Sequence, residues 1–134
     1  MKRKATVLVM TAIAFALFAF MPRSVDQQPW PVPDKFKKMT NPSKGDAAAV
    51  TAGKALWGQH CKSCHGAKGK GDGPKASQLD TDCGDFTKAS FQSQADGELF
   101  YKTTEGRKDM PSYKKKIADE NDIWALIAYM RTLK

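Results

Sequence analysis

Little in this chain alternates. From Ala47 to Lys134 no segment switches between apolar and polar residues at every second position, which excludes half-buried strands and predicts an all-α domain. Cysteine is scarce and odd in number, three in 134 residues, so no disulfide framework holds the fold. None of the three comes directly after the apolar N-terminal run, which excludes a lipid-anchored terminus there. Arginine clusters interleaved with aromatics are absent. The basic residues are scattered lysines, which argues against nucleic acid as a partner. No internal repeat is visible.

What is present falls into three parts. Residues 1–21 read as a signal peptide or N-terminal membrane anchor. Lys2-Arg3-Lys4 is a positive start, and Val7–Met21 is apolar apart from Thr11. That run counts roughly 15 residues against the about 20 of a full span, and no convincing small-residue cleavage site follows it. Either way the chain is expected outside the cytoplasm. Residues 22–46 read as a Pro-rich arm or linker, with Pro22, Pro29, Pro31, Pro33 and Pro42. Proline fixes φ and restricts its predecessor, so Trp30-Pro31-Val32-Pro33 is predicted to be extended. Two aromatics, Trp30 and Phe36, are unusual in a pure spacer, and docking on the domain is expected of them. Net charge is +8, of which the leader carries three, leaving +5 on residues 22–134.

Residues 47–134 read as a domain of helices joined by polar loops. Asp46 is expected to cap a helix from Ala47 to about Cys61, with Val50, Gly53 and Trp57 on one face. Gly53 lowers helix propensity at mid-helix and so marks a close crossing with another helix. Gly66–Pro74 holds four glycines and is a loop, and Asp80–Ser90 reads as a second. Asp96 is expected to cap a helix to about Glu105, closed by Gly106. Asp119 is expected to cap a last helix to about Leu133, with Ile123, Leu126, Ile127 and Met130 in one stripe.

The sharpest motif is Cys61-Lys62-Ser63-Cys64-His65. C-x-x-C-H is the pattern of covalent c-type haem attachment. Two thiols one turn apart add to the two vinyl groups of one haem, and the next residue presents an imidazole to the iron. Two rivals stand beside it. C-x-x-C also serves thioredoxin-like dithiols, but those need a βαβ setting that these flanks lack. Cys61, Cys64, Cys83 and His60 or His65 form a possible zinc set, but structural zinc ligands come as two close pairs and Cys83 has no close partner. Haem is the favoured reading.

An iron bound by His65 needs a sixth ligand. Met1, Met10 and Met21 are in the leader, Met39 is in the arm, and Met130 is on an apolar stripe and best explained by packing. Met110 stands apart, a large apolar residue in a charged loop, stiffened by Pro111. It is the expected ligand.

From about Gly53 to Leu133 the chain resembles the small bacterial class I mono-haem cytochromes c. The resemblance rests on Gly53-Lys54-Ala55-Leu56-Trp57, the haem motif with Gly66, Gly69 and Gly71-Asp72-Gly73-Pro74. It continues through Asp96-Gly97-Glu98-Leu99, Gly106-Arg107, Met110-Pro111 and the stretch Trp124–Leu133. It implies three to four helices wrapped round one covalent haem, with electron transfer rather than catalysis as the task. It implies a first helix crossing the last, and it puts Trp57 and Pro74 at the cofactor beside Cys61, Cys64, His65 and Met110. Implied partners are redox proteins with acidic docking faces, such as a quinol-oxidising complex and a terminal oxidase, met on the periplasmic side of the membrane. Lys62, Lys68, Lys70, Lys75 and Lys114–Lys116 are expected to rim the haem edge and steer such partners. One alternative is a fixed haem subunit of a larger respiratory complex. Another is a haem enzyme or ligand sensor with a labile Met110. Cys83, His60 and the 22–46 arm depart from the family pattern: Cys83 is expected as a free thiol and His60 as a surface residue.

Overall fold

The computed structural model describes residues 29–134, so the leader and the first residues of the arm lie outside it. The elements in chain order are α1 (Asp34–Lys37), α2 (Ala47–His60), α3 (Lys62–His65), a 3-10 turn (Ala76–Gln78), α4 (Ala89–Gln92), α5 (Asp96–Glu105) and α6 (Glu120–Met130). Among the described residues the β structure is limited to one isolated bridge, Arg107 to Met110. The fold is all-α, as the missing alternation requires.

Helix α2 starts where its cap predicts. The Asp46 carboxylate accepts from the Ala48 and Ala49 N–H groups at 2.8 and 3.3 Å, satisfying two donors that have no partner inside the helix. Helix α6 starts the same way, with Asp119 accepting from Asn121 N–H at 2.9 Å. Helix α5 differs from expectation. Asp96 is its first helical residue and Ala95 its N-cap. The N-cap amide is taken by Glu98, whose carboxylate accepts from Ala95 N–H at 2.8 Å. That frees Asp96 to pair with Arg131 at 2.6 Å, and Arg131 also donates to the Gln92 and Gln94 carbonyls. One guanidinium thus ties the start of α5 to the end of α6.

Helices α2 and α6 cross at Gly53. A Cβ there would lie 2.0 Å from the Ala125 carbonyl oxygen, so only glycine admits this approach. One turn on, Trp57 is 2 % exposed and meets Tyr129 with ring centroids 5.9 Å apart. Truncating an indole this buried to alanine costs about 3–5 kcal/mol.

Helix α6 is buried all round from Ile123 to Met130, not along a single stripe. It has neighbours on several sides. Trp124 stacks on Phe100 of α5 at 4.4 Å, and the Trp124 carbonyl accepts from buried Asn41 of the arm at 2.9 Å. A helix covered this way gains nothing from a polar face.

The arm docks. Val32 is buried, and Phe36 packs on Tyr101 and Phe100 with centroids 4.8 and 6.4 Å apart. The Phe36 carbonyl lies where a Cβ at Gly97 would be, so α5 is notched to receive it. The extended run up to Pro33 is followed by the one-turn helix α1, which proline content alone had concealed. Among the described residues no helix is long and apolar enough to cross a membrane.

Candidate functional site

The chain passes from α2 into α3 through Cys61, the N-cap of α3. The Cys64 and His65 amides both donate back to the Cys61 carbonyl, at 3.1 and 3.0 Å. Both thiols and the imidazole are therefore fixed on one tight turn. Gly66 ends it with φ +81, where a side chain would be strained and would strike Asp72. Its carbonyl accepts from Trp57 Nε1 at 3.0 Å, so the core tryptophan also holds the end of the motif.

His65 is held on its other edge. Its Nδ1 lies 2.8 Å from the Cys83 carbonyl oxygen. A carbonyl only accepts, so Nδ1 carries the proton and Nε2 keeps its lone pair. Burial lowers the imidazole pKa, with the bond to Cys83 opposing, and the net effect favours the neutral, metal-binding form. The ring sits between Phe86 at 4.7 Å and Trp57 at 5.8 Å. Burial pushes the Cys61 thiol up to about 12, with the Cys64 thiol as the smaller cause.

Met110 reaches the site on the loop that follows α5. Gly106 caps α5 with φ +68, and a Cβ there would strike the Met110 carbonyl and the Pro111–Ser112 peptide at 2.5 Å. The loop therefore folds back on the helix end, with Arg107 and Met110 exchanging backbone hydrogen bonds at 2.8 and 3.0 Å. Ser112 Oγ donates to the Thr104 carbonyl, and Tyr113 N–H to that of Thr103. The Tyr113 hydroxyl donates to the His60 carbonyl at 2.7 Å and joins the Met110 loop to the shoulder of the cysteine motif.

Beside these residues lies a cavity of about 740 Å³, lined by Cys61, Cys64, His65, Met110 and Trp57 among others. The size is that of a cofactor pocket. Unpaired thiols, a neutral imidazole with its proton on the far nitrogen, and a thioether together form a donor set suited to a covalently held haem. Among the described residues no three His, Cys, Asp or Glu side chains converge to hold a metal ion, so the zinc set is not assembled. The βαβ setting of a dithiol is likewise missing among them.

Other expected residues are placed elsewhere. Pro74 is exposed and does not line the cavity. Of the lysines expected at the rim, Lys70 lines it; Lys62, Lys68, Lys75 and Lys114–Lys116 are exposed and are not part of its lining. The cavity's charged lining is mixed instead, with Lys88, Lys102, Arg107 and Lys108 against Asp80, Asp82, Asp85 and Asp109. Met39 packs on the core and Met130 is buried in it, though Met130 also touches the cavity. Sequence reasoning missed the Cys83 carbonyl, because a backbone acceptor leaves no side-chain signature. It also missed Phe86 and Trp30 as lining; both are ordinary aromatics until the loops are folded. Cys83 itself is a half-buried free thiol.

Residues 48–130 match the family model described as cytochrome C oxidase, cbb3-type, subunit III. Among solved structures, the Kuenenia stuttgartiensis reducing HAO-like protein complex Kustc0457/Kustc0458 is similar at 26% identity, with a TM-score of 0.62. That alignment covers 81% of this chain and 52% of the other, so this chain spans about half the length of that relative. The KustC0563 c-type cytochrome is similar at 28% identity and a TM-score of 0.53, over 61% of this chain and 96% of that one. No curated protein matches.

Proposed function

This chain belongs to the c-type cytochrome family described as cytochrome C oxidase, cbb3-type, subunit III, and from that membership we propose a mono-haem one-electron carrier ligated by His65 and Met110. Haem-based electron transfer is the family's work, and c-type cytochromes are among its structural neighbours. The observation that carries the finer reading is one cavity lined at once by Cys61, Cys64, His65 and Met110. Cys61 and Cys64 would hold the haem through thioether bonds. When bound, the haem supplies the iron(II)/iron(III) couple.

The chain's own residues set the rest. The Cys83 carbonyl keeps His65 Nδ1 protonated and its Nε2 aimed for ligation. Met110 would supply the second iron ligand, and its thioether would favour the reduced iron. His65 and Met110 together would saturate the iron and leave no place at the metal for a substrate, which suits electron transfer. Trp57, Phe86 and Leu99 keep the cavity wall apolar. Positive charge on the domain, with exposed lysines on both the α3 side and the 114–116 turn, suits redox partners with acidic docking faces. The positive, then apolar, N-terminal run and the need to attach haem outside the cytoplasm support a periplasmic location.

A second reading, a fixed haem subunit of a larger redox complex, draws on two observations. One structural neighbour is part of such a complex. The described part of the arm packs on the domain through Val32, Phe36 and Asn41, as a seated element of an assembly would. A high-salt wash of native membranes separates the two: a carrier is released, a subunit stays.

The ligands are tested by substitution. Cys61→Ala with Cys64→Ala should yield a chain whose haem is lost to acid extraction. Met110→Ala should keep the haem, lose the sulfur–iron charge-transfer band and lower the reduction potential. Haem retained through extraction by the double variant, or an unchanged band and potential in Met110→Ala, would overturn the assignment.

A further inference from the structure

The family match begins at residue 48, yet the cavity wall includes Pro29 and Trp30 from the arm. Trp30 is held there by several contacts. The Arg107 guanidinium lies over the Trp30 ring at 4.6 Å and the Lys102 ammonium at 5.9 Å, and Arg107 Nη1 donates to the Pro29 carbonyl at 3.1 Å. Both cations also line the cavity, one from α5 and one from the loop that leads to Met110. Behind Trp30, the buried Val32, Phe36 on α5 and Asn41 on α6 seat the arm.

We propose that Trp30 is a cofactor-shielding residue: the arm supplies a wall of the haem cavity that the family core lacks, and the indole excludes water from the haem. The inference rests on the proposed haem reading and deepens it. Solvent exposure is one of the levers that sets a haem potential, because water stabilises the more charged oxidised state. An aromatic wall opposes that stabilisation. It also narrows the route by which small reagents reach the iron. The Arg107 and Lys102 contacts hold the ring in place, so shielding is built in and needs no partner.

The test compares Trp30→Ala and Trp30→Phe with the parent protein, all carrying haem. Three readouts are taken: the reduction potential, the rate of haem bleaching by hydrogen peroxide, and the thermal midpoint. Trp30→Ala should shift the reduction equilibrium toward the oxidised form by threefold to tenfold, the upper figure corresponding to about 59 mV for one electron. Bleaching should quicken severalfold, and Trp30→Phe should restore most of both. Phe36→Ala, which unseats the arm away from the cavity, should move both in the same direction by less. A lower thermal midpoint with unchanged potential and bleaching would overturn the proposal and leave the arm as a structural brace. A parent protein without covalent haem in its visible spectrum would overturn the haem reading itself, and the shielding role with it.

Discussion

The crossing of α2 and α6 depends on the missing side chain of Gly53, and replacing it with alanine tests the architecture directly. The new Cβ would stand 2.0 Å from the Ala125 carbonyl oxygen, where ordinary contact begins at 3.4 Å. The helices must therefore part by about 1.4 Å at that point. The obstacle is backbone on the far helix, so no rotamer change relieves it. Overpacking of this kind costs about 3 kcal/mol at the upper end of its usual range. Alanine returns about 1 kcal/mol because it orders more cheaply than glycine in a helix. The net loss of about 2 kcal/mol lowers the melting midpoint by about 8–16 °C in a domain of this size. The control lies in the same helix. Gly58 is exposed, and a Cβ there meets nothing within 4 Å. Gly58→Ala should stabilise by about 0.5–1 kcal/mol. Thermal melts of the two variants and the parent, followed by far-ultraviolet circular dichroism, should move in opposite directions. Equal shifts, or a Gly53→Ala midpoint at or above the parent's, would refute the crossing.

Two further outcomes are expected. Arg131→Ala strands the part-buried Asp96 carboxylate and removes the donors to the Gln92 and Gln94 carbonyls. It should lower stability by about 1.5–3 kcal/mol, read from the urea midpoint; a loss below 0.5 kcal/mol, in round figures, would reduce the bridge to a surface pair. In the haem-loaded protein, iodoacetamide should label Cys83 alone, as peptide mass spectrometry would show. Burial first, then the charges of Asp82 and Asp109, raise the Cys83 pKa, and these causes persist when Cys64 is held as a thioether. Thiolate is then scarce at neutral pH, so labelling should be slow there and accelerate only as pH rises past the ordinary thiol range. Labelling at pH 7 as fast as that of a free thiol in solution would contradict this.

Local chemistry determined much of this protein before any folding was considered. A carboxylate at Asp46 or Asp119 caps a helix because the unpaired N–H groups lie within two or three residues of it. Glycine at 66 and 106 stops helices because the constraint is the backbone of a single residue. The cysteine–histidine turn is legible because five consecutive residues carry its whole chemistry. Gly53 signalled a crossing because a glycine inside a helix is costly unless something needs the space. Tertiary structure decided what depends on residues far apart in sequence. Asp96 was free to leave its capping role because Arg131, 35 positions away, offered a stronger partner. All-round burial of α6 came from the arm and α5 covering what its own periodicity left open. The acceptor for His65 is a carbonyl 18 residues on, and every residue has a carbonyl, so nothing in the side chains marks Cys83. Trp30 could be read as an aromatic in need of a surface, but only the folded chain, with Arg107 brought 77 positions back to meet it, sets that surface at the wall of the cavity. Capping and turn formation are short-range and act through neighbouring atoms; the cavity is a long-range object, made wherever the packed helices leave room.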